Sequence, residues 1–103
     1  MNSSEEDITQ IIRFARKAGK IAIGRVATME TLKNRHGTLI LLTRDASAKI
    51  EKEIRKFDAR IDIVRLFEKE SLGYILGRKE VSVCIILDGK FSERIKQLQS
   101  END

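Results

Sequence analysis

Apolar residues recur along this chain in two alternating patterns, one with the period of a helix and one with the continuity of a buried strand. The first helical stripe consists of Ile8, Ile11, Ile12, Ala15 and Ala18. These residues are three or four positions apart, so they share one face of a helix. We expect the Ser4 hydroxyl to cap the start of this helix and Gly19 to end it.

The same alternation continues to the end of the chain. A short strand at Ile21–Ile23 precedes a second helix, which begins at Gly24 and ends near residues 36–37. Its apolar residues are Val26, Met29 and Leu32. The later elements are predicted to be a strand at 38–43, a helix through Ile50, Ile54 and Phe57, a strand at 61–66, a short helix through Leu72, Ile75 and Leu76, a strand at 81–87 and a helix through Phe91, Ile95 and Leu98.

The strands at 38–43 and 81–87 are apolar along their length, which is typical of strands covered on both faces. We expect these two at the centre of a sheet, with Ile21–Ile23 and 61–66 at its edges. Strands that alternate with helices predict an α/β fold, here a three-layer α/β/α sandwich with a four-stranded mixed sheet. A chain of 103 residues suits a single domain, with residues 1–6 and 100–103 as disordered tails.

The positive charge is concentrated in the first half of the chain. Residues 8–44 contain eight basic side chains and one acidic one, Glu30, whereas residues 45–100 contain twelve basic and ten acidic ones. A field of one sign over part of a surface favours a polyanionic partner such as nucleic acid. A merely solubilising surface is the alternative interpretation of the same composition.

Neither a membrane span nor a secretion signal is predicted. No apolar run approaches the roughly 20 residues of a membrane-spanning helix, and the residues at 1–6 lack the basic and then apolar order of a signal peptide. We expect a cytoplasmic protein that does not associate with membranes. The lone cysteine, Cys84, lies in an apolar strand and is expected to be a buried core residue.

Catalysis has little support in the sequence. Asp45 and Asp88 each follow a central strand, where α/β proteins often place their active sites. Both also precede a helix, and capping of that helix is the simpler interpretation. His36 is the lone histidine, and neither glycine-rich nucleotide motif is present. We expect no catalytic residues, no metal site and no cofactor; an enzyme that uses the two aspartates remains an alternative.

Composition also narrows the way in which nucleic acid could be bound. The chain has no Trp and few other aromatic residues, and Phe14, Phe57 and Phe91 are predicted to lie on helices. We therefore expect no aromatic platform for stacking single-stranded bases. Recognition of backbone and shape by Lys, Arg and main-chain amides remains. The segment from Arg16 to Arg25 offers basic residues and the start of a helix, whose free amides favour phosphate.

Several short motifs together resemble a known family. They are 15–20 (ARKAGK), Gly24, 39–42 (LILL), 44–47 (RDAS), Leu72-Gly73, 77–79 (GRK) and 85–88 (IILD). In this order, over residues 8–98, the chain resembles small bacterial members of the kink-turn-binding ribosomal protein family, of which large-subunit protein seven of the archaeal and eukaryotic type is a member. The resemblance implies the same α/β/α sandwich, a non-enzymatic role, and an RNA surface formed by residues 24–30 and 77–82.

The chain departs from that family at the start of the second helix. The family pattern there is Gly-x-Asn-Glu-x-x-Lys, in which Asn and Glu meet sheared G·A pairs and Lys meets phosphate. This chain has GRVATME at 24–30, so only the glycine is retained and Glu30 replaces the lysine. We therefore expect a surface that holds the RNA backbone more than it reads a kink-turn.

The leading hypothesis is a monomeric RNA-binding protein of ribosomal-protein type, whose partner is ribosomal or another structured RNA. The residues expected to bind RNA are Lys20, Gly24, Arg25, Val26, Lys33, Arg78 and Lys79. The alternative is a protein-interaction module on the same fold that has lost kink-turn binding. In that case Val26, Ala27 and Met29 would form an apolar surface for a partner.

Overall fold

Five helices and four strands alternate along the computed structural model, which describes residues 3–101. The helices are α1 (Ser3–Lys17), α2 (Arg25–Lys33), α3 (Ala48–Phe57), α4 (Lys69–Ile75) and α5 (Gly89–Glu101). The strands are β1 (Ile21–Ile23), β2 (Leu39–Leu42), β3 (Asp62–Arg65) and β4 (Val83–Ile86).

The strands form one mixed sheet in the order β1-β4-β2-β3. The last strand, β4, lies between β1 and β2 and is antiparallel to both, while β2 and β3 are parallel. Both central strands are buried along their whole length, whereas β1 and β3 are partly exposed. The predicted centre and edges of the sheet are confirmed.

Helices cover both faces of the sheet. Because side chains alternate along a strand, Leu39 and Leu41 face one layer while Ile40 and Leu42 face the other. The first layer contains α1, α4 and α5, and its core includes Ile8, Ile12, Leu72, Cys84, Ile86, Ile95 and Leu98. The second contains α2 and α3, and its core includes Leu32, Ile54, Val83 and Ile85. The predicted three-layer α/β/α sandwich is therefore confirmed.

Some predicted boundaries are corrected. Residues 3–6 and 100–101, expected to be disordered, lie in α1 and α5, and the other residues of the predicted tails lie outside the described part of the chain. Ser4 lies inside α1 and is not its cap. Helix α2 ends at Lys33, earlier than predicted. It stops because Arg35 is left-handed, with a φ of 57°, and the Arg35 and His36 amides donate to the carbonyls of the last turn.

Candidate nucleic-acid interface

The start of α2 lies directly against the start of β4. The Gly24 amide donates to the Val83 carbonyl over 2.9 Å, and Gly24 has a φ of 94°, a conformation that favours glycine. Arg25 and Val26 follow in the first turn of α2, and the Val26 side chain is 75% exposed. No side chain in residues 3–101 caps the first turn of α2, so its backbone amides are free, and the Arg25 and Val26 side chains are exposed there.

Residues 77–82 form the loop that leads from α4 into β4, here called loop 77–82. Gly77, with a φ of 69°, ends α4, and the Arg78 amide donates to the Gly73 carbonyl over 2.7 Å. The loop then packs tightly on α4, since a Cβ on Gly73 would lie 2.6 Å from the Cα of Glu80. This packing fixes the backbone from which the exposed Arg78 and Lys79 side chains project.

One edge of the sheet brings these two segments together. The strand pairing places the last residues of β1, β2 and β3 and the first residue of β4 at this edge, here called the carboxyl edge. The Thr43 amide, just after β2, donates to the Ser82 carbonyl in loop 77–82. The structure thus places Gly24, Arg25 and Val26 beside the end of the loop that carries Arg78 and Lys79.

Two of the predicted RNA-binding residues lie elsewhere. Lys20 precedes β1, so it is at the opposite edge of the sheet, about 10 Å or more from Gly24 by the rise of the strand. Lys33 is the last residue of α2, about 12 Å along the helix from Arg25. Its ammonium group lies 5.6 Å from the centre of the Phe57 ring. Neither lysine is part of the surface at the carboxyl edge.

The positive side chains of these two segments differ in whether they form an ion pair with a carboxylate. Arg25 forms a two-point ion pair with Glu53 on α3. The hydrogen bond with Glu53 raises the pKa of Arg25, and the same bond lowers the pKa of Glu53. Within residues 3–101, Arg78 and Lys79 have no carboxylate oxygen within 4.0 Å. Arg78 and Lys79 of loop 77–82 are therefore without an ion-pair partner in this range, while Glu80 in the same loop lies 4.0 Å from the Lys69 ammonium group.

Arg16, the first residue of the segment expected to favour phosphate, lies beside the start of loop 77–82. A Cβ added to Gly77 would lie 3.1 Å from one guanidinium nitrogen of Arg16 and 3.2 Å from the other. The guanidinium of α1 thus covers the beginning of loop 77–82. The two residues are 61 positions apart in the sequence, so periodicity gives no signal of this contact.

The aromatic residues on the helices are not all buried. Tyr74 on α4 is 79% exposed and Phe14 on α1 is 61% exposed. The prediction assumed that aromatic residues on helices are buried, but these two lie on the solvent side of α1 and α4.

Asp45 and Asp88 cannot act on one substrate atom. Because β2 and β4 are antiparallel, the two aspartates follow opposite ends of the sheet, separated by at least the length of a strand, about 10 Å or more. The Asp88 carboxylate accepts the Lys90 and Phe91 amides and so caps α5 as predicted. Asp45 accepts the Lys69 amide and caps α4 instead of the helix that follows it. The Thr43 hydroxyl and this amide lower the pKa of Asp45.

We also looked in the described residues for a reactive cysteine, a metal site and a membrane-spanning helix. Cys84 is fully buried, and burial raises the pKa of its thiol to about 12, which keeps the thiol protonated and unreactive. Residues 3–101 contain no group of three His, Cys, Asp or Glu side chains that could hold a metal ion. No helix in this range is long and apolar enough to cross a membrane.

The apolar partner surface of the alternative interpretation is small. Of its three residues only Val26 is exposed, while Ala27 is half-buried and Met29 packs against the second-layer core. A single exposed apolar side chain is common on soluble proteins and does not require a partner.

Comparisons with known proteins agree with this architecture. Residues 6–96 match the model of the ribosomal protein L7Ae/L30e/S12e/Gadd45 family. A protein of unknown function from Bacillus halodurans C has a similar structure, with a TM-score of 0.83 and 21% sequence identity, over 90% of this chain and 96% of that one. The 15.5kD RNA binding protein of Giardia lamblia has a TM-score of 0.71 and 12% identity, over 98% and 88% of the two chains. The search of curated protein sequences finds no match.

Proposed function

Because the chain belongs to the ribosomal protein L7Ae/L30e/S12e/Gadd45 family, we propose that it is a non-enzymatic, cytoplasmic protein that binds structured RNA as a monomer. The RNA is ribosomal or another folded RNA. The family's name and the RNA-binding title of the structural neighbour from Giardia lamblia support this class of partner. The contact surface is the carboxyl edge of the sheet.

The observation that carries the proposal is the joining of two segments at that edge. The Gly24–Val83 hydrogen bond fixes the start of α2 beside β4, and loop 77–82 adds Arg78 and Lys79 without an ion-pair partner in the described chain. Helix-start amides and unpaired cations both favour phosphate oxygens. The surface therefore suits an RNA backbone that passes from α2 to the loop.

The same surface is poorly equipped to read base edges. Val26 is exposed where the family pattern has an asparagine, and an apolar side chain offers no hydrogen bond to a base. Glu30 is exposed one helical turn later, where the pattern has a lysine, and it repels phosphate. We propose that the protein holds structured RNA mainly by its backbone and binds a kink-turn weakly.

The test is the salt dependence of binding to a kink-turn hairpin RNA. The parent should bind with a slope of log K against log salt of roughly −3 to −5, as expected for four or five phosphate contacts. Changing Arg78→Gln together with Lys79→Gln should weaken binding about tenfold and make the slope less negative by about 2. Both side chains are exposed, so the fold should be unaffected.

The matched control is Lys90→Gln together with Arg94→Gln on α5. This pair removes the same charge, is also exposed and lies in the first half of α5, which begins at the opposite edge of the sheet. It should leave both affinity and slope close to those of the parent. Equal losses in the two double variants would show a general charge effect and contradict the proposed surface. An absence of salt-dependent binding by the parent would contradict RNA binding itself.

A further inference from the structure

A second positively charged surface lies in the groove between α1 and α4. Arg13, Arg16 and Lys17 from α1 line one part of it with Ile75 from α4. Arg13 and Ile75 also line the adjoining part, which contains Tyr74. The two depressions share Arg13 and Ile75 and are together called the α1–α4 groove.

The three cations of this groove are not neutralised by the protein. Neither Arg13, Arg16 nor Lys17 has a carboxylate oxygen within 4.0 Å in residues 3–101. Glu70 is the acidic residue that lines the groove, at the end away from Arg16 and Lys17. Three unpaired positive charges against one negative charge favour a polyanion over a protein segment.

Tyr74 adds a flat surface beside these charges. Its side chain is 79% exposed, next to Arg13 and Ile75 in the groove. Proteins that bind single strands combine cations along the backbone with aromatic side chains on which bases stack. A base within a duplex is already stacked, so the exposed ring suits an unpaired nucleotide.

The groove adjoins the start of loop 77–82. Arg16 lines the groove, and its guanidinium group covers Gly77, the first residue of loop 77–82. An RNA strand that leaves the loop at Arg78 and Lys79 therefore meets Arg16 next.

We propose that the α1–α4 groove binds a single-stranded RNA segment that flanks the structured RNA, with phosphates on Arg13, Arg16 and Lys17 and one unpaired base on Tyr74. This inference rests on the proposed function, since the flank is part of the same RNA. It adds a second contact region and predicts a preference for structured RNA with a single-stranded extension.

The experiment compares two RNAs, a blunt kink-turn hairpin and the same hairpin with eight uridines at its 3′ end. The parent should bind the extended RNA about tenfold more tightly at low salt. Tyr74→Ala should lose most of this gain and bind the blunt hairpin like the parent, whereas Tyr74→Phe should keep it because the stacking face remains. Arg13→Gln with Lys17→Gln should reduce the extra salt dependence that the extension brings.

Phe57→Ala is the matched control, because Phe57 is also an exposed aromatic residue but lies on α3, in the other helical layer. It should bind both RNAs like the parent. If the extension gives the parent no gain, or if Tyr74→Ala keeps the gain, the inference is wrong while the proposed function stands. Binding of the extended RNA with none of the blunt hairpin would support the groove and contradict the structured-RNA proposal. Binding of neither RNA would overturn both.

Discussion

The candidate interface has two halves, the start of α2 and loop 77–82. Both carry positive side chains, but these differ in whether they have an ion-pair partner. At the start of α2, Arg25 is held by Glu53, and Glu30 adds a negative charge one turn along the helix. In loop 77–82, Arg78 and Lys79 have no ion-pair partner in the described residues. Counting basic residues treats these three cations as equal, but only two of them are uncompensated.

This difference indicates which half contributes more to the affinity for RNA and which half could distinguish one RNA from another. A cation paired with a surface carboxylate must exchange that partner for a phosphate, so its net gain is small. An unpaired cation gains the full interaction. We infer that loop 77–82 supplies most of the affinity for RNA, and that the start of α2 mainly orients the RNA on the surface.

Disrupting the support of the loop should have the largest effect. Gly73→Ala would put a Cβ 2.6 Å from the Cα of Glu80 and 2.9 Å from the Arg78 carbonyl oxygen, and backbone cannot move aside as a flexible side chain does. We expect the free energy of unfolding to fall by about 2 kcal/mol, measured by urea denaturation. Gly89→Ala, with no atom within 4 Å of the new Cβ, is the control and should unfold like the parent. Unchanged stability in Gly73→Ala would show that the loop is not held as described.

Restoring the family pattern on α2 should have the next largest effect. The triple change Val26→Asn, Ala27→Glu and Glu30→Lys provides hydrogen-bonding groups for base edges and a cation for phosphate. We expect affinity for a kink-turn hairpin to rise about tenfold, with less change for a plain hairpin of the same length. Titration of both RNAs measures this. If the triple variant binds the kink-turn no better than the parent, this helix is not part of the interface.

Releasing Arg25 should have the smallest effect. Glu53→Gln removes the ion-pair partner of Arg25, so affinity for RNA should rise about two- to threefold. Asp62→Asn, which removes an ion-pair partner of Lys96 at the opposite edge of the sheet, is the matched control and should not change binding. Because the pKa of Glu53 is lowered, its carboxylate stays ionised until the pH falls below the ordinary range for glutamate. The gain from Glu53→Gln should therefore be constant between about pH 5 and pH 8.

Most of the fold follows from the sequence pattern. The fully apolar β2 and β4 had to be central, and the stripes of α1 and α5 identified their buried faces. The end of α2 could not be predicted, because it depends on Arg35 taking a left-handed conformation that has no sequence signal in a non-glycine residue.

The candidate interface was only partly predictable. The motifs identified Gly24, Arg78 and Lys79, which the fold brings to one edge. Lys20 and Lys33 were included because they are near in sequence, but a strand and a helix carry them away from that edge. The segment from Arg16 to Arg25 was expected to favour phosphate, but the contact of Arg16 with Gly77 and the exposure of Tyr74 depend on how α1 packs against α4, which no local pattern records.

The central position of the last strand also determines when the interface can exist. Within residues 3–101, β1 pairs only with β4, and the Gly24 amide is bound by the Val83 carbonyl. The position of β1 and Gly24 therefore depends on residues about 60 positions later in the sequence. During synthesis the first 80 or so residues emerge without the strand that joins them. The carboxyl edge therefore forms only after residues 83–86 have emerged, so a nascent chain has no assembled surface with which to capture RNA.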